Sequence, residues 1–167
     1  EYIRSLGPSI DSIRQKETQT LSADMILVAD NGTKLNTMED LLSLTKGKTV
    51  LLDMWGTWFG PCRNEIQDNG PAIKAYFKGK GLDYFYVANR DSSHEDEWKK
   101  LIAYFDMKGT HILANPALTK DIMTKVKGTW YPTYVINKKD GTYELSKAGY
   151  PMKRDVLIKQ LEAALAL

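Results

Sequence analysis

The chain has 167 residues, 43% of them hydrophobic and 26% charged, with a formal net charge of +2. That length suits one globular domain with a short appendage. The net charge decides nothing about partners, and the longest charge-dense stretch, His94 to Lys100, mixes both signs and reads as a solvated helix face rather than a nucleic-acid patch. A single cysteine excludes an intrachain disulfide framework and any multi-cysteine metal site.

Residues 1–22 are polar, contain Gly7-Pro8 and show only a thin apolar face after Ser9. They read as a linker or leading helix, with an upstream domain as one source for it. Because the first residue is Glu1 rather than Met, a processed or excised form is expected, with any signal segment lying upstream. The globular domain is expected over residues 23–167. Its first apolar run, Met25 to Val28, predicts a strand, and Asn31-Gly32 predicts a turn into Lys34-Leu35, giving an N-terminal hairpin. Thr37 to Asp40 opens a short helix that carries Leu41, Leu42 and Leu44. Thr49 to Trp55 is almost continuously apolar, as a strand buried on both faces must be.

Pro61 suits the first turn of a helix, where its missing N–H costs little. That helix should run towards Phe77 with a bend or break at Gly70-Pro71. Leu82 to Ala88 is again strand-like. Ser93 is placed to cap a helix in which Trp98, Leu101, Ile102 and Phe105 recur at helical spacing. Ile112-Leu113 adds a brief extended piece, and Pro116 to Val126 reads as a short helix. Thr133 to Ile136 is a strand that Asp140-Gly141 turns back through Tyr143 to Leu145, and a helix over Met152 to Leu165 ends the chain. Strands alternating with helices imply an α/β domain whose central sheet is covered on both faces, and the closing hairpin makes that sheet mixed. No run approaches the length of a membrane span.

The chemistry concentrates where the buried strand ends: Trp55-Gly56-Thr57-Trp58-Phe59-Gly60-Pro61-Cys62-Arg63. A helix N-terminus presents free N–H groups and a partial positive charge, which favour a thiolate within the first turn. The position best placed to use them is Phe59, and Cys62 lies three residues behind it. His94 and His111 sit apart from any cluster with metal-ligand spacing, so no metal site is expected.

Trp58, Gly60, Pro61 and Cys62, followed by Arg63 and Glu65, resemble the active-site turn of the thioredoxin superfamily. Within it the likeness is to the TlpA/ResA-like thiol–disulfide oxidoreductase branch, which is related to the AhpC/TSA proteins. Asp53 falls where thioredoxins carry a buried acid that helps move protons. Trp130-Tyr131-Pro132-Thr133, running into Val135-Ile136, resembles the family's cis-proline segment. The resemblance implies a thioredoxin-like fold and a peptide-binding surface at Trp58, Phe59, Trp130, Tyr131 and Pro132. It also implies protein or peptide partners, thiol-containing ones included, with no cofactor. The setting it implies is extracytoplasmic, periplasmic or cell-envelope associated, in a bacterium. Any membrane tether would come from segments outside this chain.

The departure from the pattern is Phe59, which stands where the attacking cysteine belongs. One sulfur cannot close an intramolecular disulfide, so ordinary dithiol exchange is not available. Peroxiredoxin-like chemistry needs a threonine three residues before the cysteine, and Phe59 occupies that place too. Two readings stay open. The first is a binding module that keeps the peptide groove around an inert Cys62. The second is a monothiol enzyme using Cys62, with Asp53 as its proton partner.

Overall fold

The computed structural model describes residues 20–167, so the linker or leading helix expected over 1–22 lies almost wholly outside the described residues. In chain order come β1 (Met25–Leu27), α1 (Met38–Thr45), β2 (Thr49–Trp55), α2 (Gly60–Tyr76), β3 (Leu82–Ala88) and α3 (Glu95–Tyr104). They are followed by β4 (Gly109–Leu113), α4 (Pro116–Val126), β5 (Thr133–Asn137), β6 (Tyr143–Leu145) and α5 (Arg154–Leu165). One mixed six-stranded sheet runs in the order β1-β4-β3-β2-β5-β6. β1, β4, β3 and β2 are mutually parallel, and β5 and β6 are added antiparallel.

β2 is buried at every one of its seven positions, which a strand achieves only with a helical layer on each face. Side chains alternate along it. Val50, Leu52 and Met54 pack into a core with Leu41 of α1 and Leu118 and Ile122 of α4. Leu51 points the other way, towards Ile73 of α2 and Leu157 of α5, and Trp55 does likewise towards Ile66 of α2 and Trp98 of α3. Asp53, between Leu51 and Trp55 in this alternation, therefore faces the α2 side of the sheet.

The fold class agrees with the expectation, but three local details differ. The N-terminal hairpin is absent, because β1 pairs in parallel with β4 and the turn after it leads into α1 without a second strand. Asp30, Asn31 and Gly32 form a short 3-10 turn, all three at positive φ, so the Asn-Gly signal was real and its structural use different. Gly32 also passes so close to β4 that an added Cβ would lie 2.8 Å from Ile112. The helix expected to bend or break at Gly70-Pro71 is assigned without interruption from Gly60 to Tyr76. His94, not Ser93, is the residue before α3, and it caps through no side-chain bond.

Candidate functional site

The site begins where β2 delivers the chain to Gly56. A Cβ there would lie 2.1 Å from Trp58 Nε1, so only glycine lets the indole fold back over the backbone. In that position Nε1 donates to the Asn89 carbonyl at 2.7 Å. Thr57 is buried, and its N–H and hydroxyl donate to the two oxygens of Asp91 at 3.0 and 2.6 Å. Burial raises the Asp91 pKa, against these two hydrogen bonds, which favour the carboxylate. The loop entering α2 is thereby fastened to the loop leaving β3.

Phe59 caps α2 with its backbone alone and stacks on Trp58, ring centroids 5.2 Å apart. Tyr131 meets Trp58 edge-on at 6.2 Å, and the Arg90 guanidinium lies 5.2 Å from the same indole. The Tyr131-Pro132 bond is cis, and Pro132 is buried. Trp58 is 44% exposed and Trp130, on the cis-proline loop, is 68% exposed. The Thr133 hydroxyl donates to the Trp130 carbonyl and ties that loop to the start of β5. The structure thus assembles Trp58, Phe59 and Tyr131 into one aromatic group, with Trp130 exposed one residue away in the chain.

Cys62 lies beneath, in the first turn of α2, packed in the same cluster as Trp55, Ile66 and Trp98 and only 1% exposed. Burial, reinforced by the charge of Asp53, pushes its thiol pKa up to about 12, outweighing the backbone hydrogen bond from Gly56. Asp53 is 5% exposed and its Oδ1 accepts no hydrogen bond. Burial, with Glu65 nearby, raises its pKa to about 8, and Lys74 opposes the shift. Glu65 is buried but well served: one oxygen accepts from Asn69 at 2.6 Å and the other from the Met152 N–H at 3.1 Å. Lys74 donates to the Lys108 carbonyl at 2.8 Å, and burial lowers its pKa to about 8.

Sequence reasoning missed Gly56 as a seat for the indole, and missed Asn89, Arg90 and Asp91 altogether. One signal was available: these three polar residues follow a buried strand at its carboxyl end, where open α/β sheets place functional loops. His94 is exposed as expected. His111 is fully buried, stacked on Tyr86 at 4.8 Å and bonded through Nε2 to the Met107 carbonyl at 2.7 Å.

No protein-family model matches the chain. In sequence it is 32% identical over 113 residues to the thioredoxin-like protein YneN of Bacillus subtilis. That match takes in 66% of this chain and 62% of the relative, so the chain spans less than two thirds of that protein. In structure it is similar to the thioredoxin domain of a thiol–disulfide oxidoreductase from Bacteroides vulgatus, with a TM-score of 0.57 at 24% identity, covering 73% of this chain and 82% of that one. A secreted Mycobacterium tuberculosis disulfide oxidoreductase, homologous to E. coli DsbE, gives 0.55 at 18% identity over 72% and 85%. A pneumococcal exposed lipoprotein thioredoxin gives 0.54 at 23% identity over 73% and 89%. The chain has a thioredoxin-like fold, which it shares with these solved structures.

Proposed function

We propose that this chain is a TlpA/ResA-like polypeptide-binding domain that keeps the thioredoxin recognition surface and lacks dithiol turnover. One observation carries the reading. Phe59 occupies the helix N-terminus where an attacking sulfur would be activated, and the chain's one thiol is 1% exposed with a pKa near 12. Such a thiol is protonated and out of reach at neutral pH. The same burial weighs against the lone-thiol enzyme with Asp53 as proton partner. Trp58, Phe59, Trp130 and Tyr131 supply apolar contact area, and the backbone before Pro132 offers an extended polypeptide a strand-like partner. Arg90 beside Trp58 adds a positive charge at the rim. The exposed lipoprotein and the secreted oxidoreductase among the similar structures support an extracytoplasmic, cell-envelope setting.

A reduced, carboxymethylated polypeptide titrated against the chain tests this reading. Intrinsic tryptophan fluorescence should change saturably, and Trp130→Ala should weaken binding by about tenfold, the cost of one aromatic contact. An unaltered affinity in Trp130→Ala and Trp58→Ala together would place recognition elsewhere.

A further inference from the structure

Behind α2, away from the aromatic surface, lies a cavity of about 430 Å³ between that helix and the sheet. Leu51, Tyr86 and Tyr134 of the strands form its floor, and Ile66, Ile73 and Lys74 of α2 form its roof. Its size falls within the range of small-molecule sites, and its wall is mostly apolar with a few convergent polar groups.

The cavity's rim carries the exposed Lys78, Asp106 and Lys108, and the polar groups buried further in are unbalanced. Two buried carboxyls, Asp53 and Glu65, line the cavity, and the amine coupled to Asp53 is that of Lys74. Lys74 is already engaged with the Lys108 carbonyl, and its Nζ stands 5.2 and 5.3 Å from the ring centroids of Tyr84 and Tyr86. At the mouth, Lys108 pairs with Asp106 at 3.8 Å. Glu65 has donors on both oxygens, whereas Asp53 Oδ1 has none. A buried acceptor without a donor is unfavourable, and a bound donor would relieve it. When Asp53 ionises, the buried groups carry two negative charges against the one positive charge of Lys74, and the vacant acceptor belongs to a group that lines the space.

We propose that this cavity binds a small organic ammonium ion with an apolar body of about aromatic-ring size, its nitrogen donating to Asp53 Oδ1. The body would lie against Ile73, Tyr86 and Met107, where burial of apolar surface supplies most of the affinity. This site shares no residue with the aromatic surface at the N-terminus of α2, and neither reading depends on the other.

The proposal gives a pH dependence with a definite sign. Asp53 is faced by Cys62, Glu65 and Lys74 from α2, by Tyr86 from β3 and by Tyr134 from β5. Cys62, Tyr86 and Tyr134 all titrate far above neutrality. An ammonium ion prefers the carboxylate, so its affinity should rise roughly tenfold per pH unit up to the Asp53 pKa near 8. Loss of the Lys74 charge near the same pH acts in the same direction.

Phenethylamine is the probe, with 2-phenylethanol as its neutral analogue, followed by amide chemical shifts at Ile66, Ile73 and Met107. The amine should perturb these residues saturably and bind about tenfold tighter at pH 7 than at pH 6. Asp53→Asn should abolish that pH dependence, and Lys74→Met, which removes the competing cation, should tighten binding. Equal binding of the alcohol, a pH dependence that survives in Asp53→Asn, or no response at the cavity residues to either compound would each overturn the proposal.

Discussion

Replacing Asp53 by Asn keeps the shape of the side chain and removes its titration, and the consequence for stability follows from the direction of the shift. Asp53 holds its proton in the folded state up to about pH 8, whereas an unfolded aspartate loses it near pH 3.9. Between those values the native state binds the extra proton, so the parent loses stability as pH rises, by about 1.4 kcal/mol per unit. His111 acts in the opposite sense. Burial lowers its pKa to about 4, so between pH 4 and 6.5 the unfolded chain binds the extra proton and stability climbs with pH. The contribution of these two groups to the parent should therefore be nearly flat from pH 4 to 6.5, then fall by about 2 kcal/mol by pH 8. In Asp53→Asn only the His111 contribution, climbing to pH 6.5 and then level, is left of the two. The difference in favour of the variant should widen by about 4 kcal/mol between pH 5 and pH 8. Urea unfolding at half-unit pH intervals reads this directly, with unchanged m-values showing that only stability moved. A constant offset between the two curves would refute the buried, protonated Asp53.

Cys62 should react with iodoacetamide at neutral pH about 10³-fold more slowly than an unfolded cysteine, because its thiolate fraction is suppressed by that factor before burial adds its own barrier. Labelling at the denatured rate would mean the thiol is accessible. Asp91→Ala should lower stability by about 3 kcal/mol, since it leaves the buried Thr57 N–H and hydroxyl without their acceptor. The loss should appear in urea unfolding and should be absent in Ser92→Ala, an exposed neighbour. Gly56→Ala should cost about 1–3 kcal/mol and free the Trp58 indole from the Asn89 carbonyl, which a red shift of tryptophan emission would report.

Much of the fold was legible because its signals are local. β2 declares itself by an almost continuously apolar run, Thr49 to Trp55, buried at every position. α4 is bounded by the Asn115 side chain accepting from the Leu118 N–H and by Pro116 in its first turn. The Asp140-Gly141 turn closes β5 onto β6 as its sequence demands. The misreadings arise where a local signal serves a distant partner. Asn31-Gly32 asks for positive φ, and a 3-10 turn satisfies that as well as a hairpin does. What decides between them is the pairing of Met25 with Gly109, which no local pattern encodes. The Thr57–Asp91 fastening spans 34 residues and was invisible for the same reason. Within the candidate site, Asp53 could be singled out by its spacing from Phe59 in the turn that the sequence resembles. Its missing hydrogen-bond donor and the cavity it lines depend on how α2 lies over the sheet.

Dithiothreitol-driven reduction of insulin disulfides, followed by turbidity, tests the central claim most directly. The native chain and Cys62→Ser should both match the rate of dithiothreitol alone, and Phe59→Cys should form a disulfide with Cys62 and accelerate the reaction. Catalysis by the native chain that disappears in Cys62→Ser would contradict the account, because the buried thiol would then be the working group.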